Sequence, residues 1–207
     1  TIAERICKIS SKTGIKFSII SRSDSTLRGH YPLETEVLKE VIEANTNIKI
    51  DGELIIPFFK EGGRFTYDDI HFVEENGNLI PAGQTEFAKD NTFGYQNSDL
   101  KYWVEEKTNG KFKHEDVISI SLDMIRREGS EAVANALMKA ENFQKVVVNA
   151  FDYGDLYIFT LGLLMAEERG KNFLARTAAG FVKVRGGVSD RPLLSRNDLV
   201  KDNGNGG

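Results

Sequence analysis

From Ser21 to Glu34 the chain reads SRSDSTLRGHYPLE, and the first ten of these residues hold two arginines, an aspartate, three serines, a threonine and a glycine. Together these types suit the capture of an anion that also carries hydroxyls. The guanidinium of Arg22 or Arg28 is a planar fork that matches a carboxylate or phosphate with two parallel hydrogen bonds. Asp24, Ser25 and Thr26 offer partners for sugar hydroxyls. Gly29 lets the backbone approach closely enough for N–H groups to reach an anion. Two further stretches repeat the pattern. Lys60-Glu61-Gly62-Gly63-Arg64 adds an acid, two glycines and an arginine, and Arg176-Thr177 adds an arginine and a hydroxyl.

Each stretch also has a plainer reading. Asp24 and Ser25 suit an Asx-type turn that caps the next helix. Gly62-Gly63 suits a simple turn, and a lone arginine such as Arg176 usually pairs with a surface acid. The recurrence of arginine at strand exits is what favours a site. Other chemistries drop out. His30, His71 and His114 lack metal-ligand spacing and read as structural or exposed, so no metal ligand is assigned. The single cysteine, Cys7, sits on a structural helix, and no Gly-x-Ser-x-Gly, Walker-type or GxGxxG pattern occurs. In Phe151-Asp152-Tyr153-Gly154-Asp155 the acids read first as helix caps and second as a ligand edge. Trp103 reads as a packing residue.

The elements that must position these residues follow from periodicity and punctuation. Ile2, Ile6 and Ile9 predict the apolar face of a helix that stops at Gly14. A strand is expected over 16–20, placing the first arginine loop at its exit. Pro32 then opens a helix with an apolar stripe of Leu33, Val37, Leu38, Val41 and Ile42. A second buried strand is expected over 54–58. Runs at 70–74 and 78–80 flank Glu75-Asn76-Gly77, a strong hairpin signal. Leu100, Trp103 and Val104 mark a short helix ending near Asn109-Gly110. A strand at 117–121 precedes a helix capped by Ser130 and carrying Ala132, Val133, Ala136, Leu137 and Ala140. The valine-rich run at 145–150 reads as a central strand. A helix over 155–169 stops at Gly170, and Phe173-Leu174 forms a last short strand, leaving Arg176 and Thr177 in a loop. This alternation predicts an α/β fold: a largely parallel sheet flanked by helices, with an inserted antiparallel hairpin. In such sheets ligands bind beyond the carboxyl ends of the strands.

The 207 residues are long for one ordinary domain and short for two. A formal net charge of -4 argues against a dedicated nucleic-acid binder. No apolar run approaches the roughly 20 residues of a membrane span. The lone cysteine favours a reducing, cytoplasmic setting.

"DSTLRG" (24–29) following a strand resembles the hallmark of the four-carbon acid sugar kinase family, once catalogued as a domain of unknown function. "PFFKEGGRFTYDDIHFV" (57–73), "TEFAKD" (85–90) and "ARTAAGFVKVRGG" (175–187) resemble that family's later motifs in the same order, so the resemblance covers nearly the whole chain. It implies a kinase that uses ATP to phosphorylate a threonate, an erythronate or an oxo-tetronate. It further implies that residues 1–190 are the acid-sugar-binding α/β domain, incomplete at its N-terminus. Residues 191–207 would then be a linker toward a C-terminal nucleotide-binding domain. The family's opening Asp-Asp-x-Thr-Gly-Ala motif is missing, and Arg22 stands where many relatives carry lysine.

By this resemblance Arg28 or Arg176 grips the substrate carboxylate, supported by Ser25 and the N–H groups of the Arg28-Gly29 turn. Arg22 and Arg64 face phosphates, and Asp24 orients the attacking hydroxyl or takes its proton. Glu61, Gly62, Gly63 and Thr177 complete the expected substrate contacts. ATP and Mg²⁺ are expected to bind mainly on the second domain, leaving this piece inactive alone. The expected partner is an acid sugar, with no nucleic acid or membrane, and a homodimer would be favoured by a sheet edge left open. The alternative is a non-catalytic α/β module that senses a small carboxylate or phosphosugar with the same arginines.

Overall fold

The computed structural model describes residues 1–199. In chain order these form α1 (Ile2–Thr13), β1 (Ile20–Arg22), α2 (Leu33–Asn45), β2 (Gly52–Ile56), β3 (Arg64–Tyr67), β4 (Ile70–Glu75) and β5 (Asn78–Pro81). There follow α3 (Leu100–Lys107), β6 (Ile118–Ile120), α4 (Gly129–Leu137), β7 (Gln144–Val148), α5 (Tyr153–Glu168), β8 (Phe173–Thr177) and α6 (Ala179–Arg185). Among the described residues the strands make a parallel sheet, ordered β1-β8-β2-β7-β6, and an antiparallel sheet, ordered β3-β4-β5. This is the α/β architecture read from the sequence.

Helices on both faces bury the middle strands completely, so β2 reads GELII with hardly a polar break. One face packs Leu54, Ile56, Val146, Val148 and Ala175 against Leu156, Phe159 and Leu163 of α5 and Phe181 of α6. The other packs Ile55 and Val147 against Leu100, Trp103 and Val104 of α3. Each such side chain contributes about 1.5–3 kcal/mol on burial. Gly162 lets α4 lie close on α5, because a Cβ there would sit 2.7 Å from both the Val133 side chain and the Ser130 carbonyl oxygen. The acids before α5 do cap it: Asp152 accepts from the Gly154 N–H in a capping box completed by Asp155. Asp155 is also gripped by both ends of the Arg126 fork, at 2.7 and 2.9 Å.

Several expectations are corrected. The first strand spans only Ile20–Arg22, so Arg22 ends the strand and does not lie in the loop. The last strand runs to Thr177, which puts Arg176 and Thr177 inside the sheet. The middle position belongs to β2, with β7 one place from the edge. Ser130 lies inside α4 and does not cap it, because a π-helical turn at Met124–Glu128 leads directly into that helix. The antiparallel hairpin gains a third strand, β3, which begins at Arg64. α1 buries Ala3 and Cys7, while Ile2 and Ile9 are exposed. In α2, Ile42 is buried but Leu33 and Val37 are exposed.

The second sheet is docked by its first turn. Asp68 and Asp69 both take left-handed backbone conformations, with φ of 48° and 63°. Asn149, fully buried beyond β7, accepts from the Asp69 N–H at 2.8 Å and donates to its carboxylate at 2.7 Å. Ser119 donates to the same carboxylate at 2.6 Å. These bonds hold the β3–β4 turn at the carboxyl ends of β6 and β7.

No helix among the described residues is long and apolar enough to cross a membrane. Residues 200–207, the last eight of the expected linker, lie outside the described residues.

Candidate functional site

The stretch 23–29 leaves β1 as a tight loop whose side chains bond to one another. Asp24 Oδ2 accepts from Thr26 Oγ1 and, at 2.8 Å, from Arg28 Nε, and that Nε also reaches Thr26 Oγ1 at 3.0 Å. Burial alone would raise the Asp24 carboxyl, but the hydrogen bonds from Thr26 and Arg28 more than offset this and hold it below the usual range. Asp24 is therefore a carboxylate at neutral pH. Leu27 is fully buried with φ of 68°, and Gly29 follows with φ of 124°.

That backbone is held from behind. The His71 ring bonds the Ser25 carbonyl through Nε2 at 2.7 Å and Thr66 Oγ1 through Nδ1 at 3.0 Å. A carbonyl can only accept, so Nε2 carries a proton. Burial lowers its pKa to about 4. The Tyr95 hydroxyl donates to the Thr26 carbonyl at 2.8 Å. Arg176 donates to the carbonyls of Leu27, at 3.5 Å, and Arg28, at 3.1 Å. Its guanidinium lies 5.2 Å from the Tyr31 ring and 5.1 Å from the Trp103 ring, and those two rings stack at 4.5 Å.

In front of the loop is an open cleft of about 400 Å³. Ser23, Asp24, Arg28 and Gly29 form one wall. His30, Glu34, Asp90 and Phe93 complete the lining, the His30 and Phe93 rings meeting edge to face at 4.9 Å. Asp90 accepts from the N–H groups of Phe93 and Thr92, which hold its carboxyl low, and it sits 3.7 Å from Arg28 Nη1. Arg28 and Arg64 share one ring, their guanidinium carbons lying 5.1 and 5.5 Å from the centre of Phe87. Arg28 is balanced there by Asp24 and Asp90, whereas Arg64 has no ion pair among the described residues. Among the described residues the N–H groups of Arg28, Gly29 and His30 have no internal acceptor, and Ser23 Oγ and Arg64 Nε are buried without a partner.

The structure thus brings Asp24, Arg28 and Gly29 to the cleft, while Arg64 shares the Phe87 ring with Arg28 without lining the cleft. Ser25 lies on the same loop, its carbonyl turned to His71. The remaining candidates lie elsewhere. Arg176 is 3% exposed and sits beneath the loop. Thr177 is buried, and its carbonyl accepts from the Ser23 N–H. Arg22 is exposed on the strand face opposite Ser21 and does not line the cleft. Glu61 accepts from the Tyr153 hydroxyl at 2.8 Å, and Lys60 pairs with Asp152, so this turn is tied to the start of α5. Gly62 and Gly63 are packing glycines: added Cβ atoms would meet Phe59 at 2.4 Å and Glu74 at 2.7 Å. His30, Glu34, Phe87, Asp90 and Phe93 were not assigned from the sequence, although Phe87 and Asp90 fall in the quoted TEFAKD stretch. A second cleft, of about 290 Å³ at the amino ends of β1 and β8, has an apolar floor of Ile19, Ile42, Ile48, Ile50 and Phe173 beside Lys16, Ser18, Glu167, Lys171, Asn172 and Arg185, and it lies at the end of the sheet opposite the 23–29 loop.

Two solved structures share this fold. The Haemophilus influenzae protein HI1011, described with the family model DUF1537, matches with a TM-score of 0.63 at 18% identity over 89% of this chain and 42% of its own. A putative tRNA synthase from Salmonella typhimurium LT2 matches with a TM-score of 0.61 at 17% identity, over 86% of this chain and 40% of its own. The chain thus spans about two fifths of the length of either. No curated protein matches it. The family model described as a sugar-binding N-terminal domain matches residues 2–185, and the chain belongs to that family.

Proposed function

We propose that this chain is the acid-sugar-binding domain of an ATP-dependent kinase that phosphorylates a four-carbon acid sugar of the threonate, erythronate or oxo-tetronate type. The observation that carries this reading is the union, at one cleft, of an arginine fork, unbonded N–H groups and a charged aspartate. A sugar-binding domain meets those needs when its sugar is an acid. The Nη groups of Arg28, which make no hydrogen bond although Nη1 lies 3.7 Å from Asp90, and the N–H groups of Arg28, Gly29 and His30 hold the carboxylate. Asp24, whose Oδ1 takes no side-chain bond, accepts from a substrate hydroxyl and orients it. Its low pKa makes it a better orienting group than a base while Arg28 stays bonded to it. A substrate carboxylate that draws Arg28 away would raise the basicity of Asp24 as the ligand seats.

No group of three or more metal-ligating side chains occurs among the described residues. In this reading the nucleotide is held outside them.

The test is calorimetric titration of the chain with threonate, erythronate and oxo-tetronate, alongside ADP release by the full-length gene product. One acid is expected to bind and turn over, with Asp24→Ala weakening binding about tenfold or more. Binding without turnover would favour a sensor of small carboxylates. No binding of any of the three acids would overturn the assignment.

A further inference from the structure

The loop 24–29 carries a pattern that ligand contact alone does not explain. Four consecutive carbonyls, those of Ser25, Thr26, Leu27 and Arg28, each accept from a buried side chain of another segment. His71 comes from β4, Tyr95 from the segment before α3, and Arg176 from β8. All three are buried, at 0%, 5% and 3% exposure. A buried arginine spent on two main-chain carbonyls, beside a stacked pair of aromatic rings and with no acid bonded to it, is a costly arrangement for a turn. A simple turn needs no such support. The loop also includes Leu27 in the left-handed region, which an L residue with a branched side chain adopts only when its surroundings hold it there.

Fixing the carbonyls inward has a consequence on the other side. The N–H groups of Arg28, Gly29 and His30 are left without internal acceptors, and these three residues line the cleft. Three successive free N–H groups at a glycine turn make a concave anion receptor, and its strength depends on the peptide planes being held before the ligand arrives.

We infer that His71, Tyr95 and Arg176 are positioning residues that set the anion-binding turn from beneath, and that Arg176 acts through the Leu27 and Arg28 carbonyls without touching the ligand. The inference rests on the reading of the cleft as an acid-sugar site. It moves Arg176 from the contact set to the support beneath it.

The test uses Tyr95→Phe, which removes one hydroxyl and no ring volume, with Arg176→Lys as a second variant and Ile120→Val as a control in the opposite core. Each is titrated with the three acids well below its thermal midpoint, and backbone amide resonances are recorded without ligand. Tyr95→Phe is expected to weaken acid binding about five- to tenfold and to shift the amide resonances of Arg28, Gly29 and His30. Ile120→Val, which lowers the midpoint by cavity formation, is expected to leave both readouts unchanged. A folded Tyr95→Phe protein with wild-type affinity and unshifted resonances overturns the inference, whatever Arg176→Lys does. If the wild-type chain binds none of the acids, the ligand assignment fails, and the amide resonances decide the positioning role alone.

Discussion

His71 should make this domain sensitive to mild acid, by an amount that the structure sets. The ring is fully buried, its two nitrogens are engaged by Ser25 and Thr66, and Arg64 and Arg176 oppose a further positive charge. Its pKa falls from 6.5 to about 4, chiefly through burial. Because the folded value is the lower one, the unfolded chain binds more protons between these limits. Stability is therefore complete above about pH 6.5 and declines as pH falls toward 4. A gap of about 2.5 pH units, at about 1.36 kcal/mol per unit, corresponds to about 3 kcal/mol in all. Urea denaturation of the wild type and of His71→Gln, from about pH 7 to about pH 4.5, measures it. The wild type is expected to lose about 2 kcal/mol more than the variant across that range. Asp24, Asp90 and Asp155 have lowered values and titrate below the window, whereas burial raises Glu167, which works in the opposite sense. Both proteins share these groups, so the difference isolates His71. Parallel stability curves would refute the reasoning.

Two further outcomes are expected. Lys145 and Glu53 form an ion pair with both side chains fully buried, and the Lys145 ammonium lies 3.6 Å from the Phe143 ring centre. Lys145→Met strands the Glu53 charge and should cost about 3–5 kcal/mol in a denaturant titration. Adding Glu53→Leu should recover most of that loss, and additive losses would contradict the pairing. Gly63 and Gly14 have nearly equal φ, 72° and 71°, but only Gly63 has a neighbour in the way, the Glu74 Cβ at 2.7 Å. Thermal denaturation should therefore show Gly63→Ala losing about 2 kcal/mol or more and Gly14→Ala about 1 kcal/mol, and equal losses would show that packing at Gly63 is not the cause.

What could be read without coordinates was whatever depends on near neighbours in the chain. The alternation of strands and helices, the hairpin at Asn76-Gly77 and the capping acids before α5 all follow from periodicity or from contacts within a few residues. The α1 face was misread because periodicity counts isoleucines, whereas a helix lying close against α2 favours Ala3 and Cys7 at the contact. Arg22 was placed in the loop because the end of a three-residue strand leaves almost no pattern. The chemistry of the DSTLRG stretch was legible because it is concentrated in six adjacent residues. Asp90 and Phe93 were not, since an acid and an aromatic in a short polar segment look like any turn until that segment is folded over the loop.

Arg176 marks the division most clearly. By residue type alone an arginine near a strand exit belongs with a carboxylate, and its sequence neighbours do not say otherwise. Its place is decided by Tyr31 and Trp103, distant along the chain, which stack beside it and leave only main-chain carbonyls within its reach. The sequence by itself determined the α/β class, the order of the elements and the local chemistry of the loop, because hydrogen-bonding groups and apolar periods act over short separations. Tertiary structure alone decided which arginine lines the cleft and which lies beneath the loop, because burial depends on contacts between residues far apart in the chain.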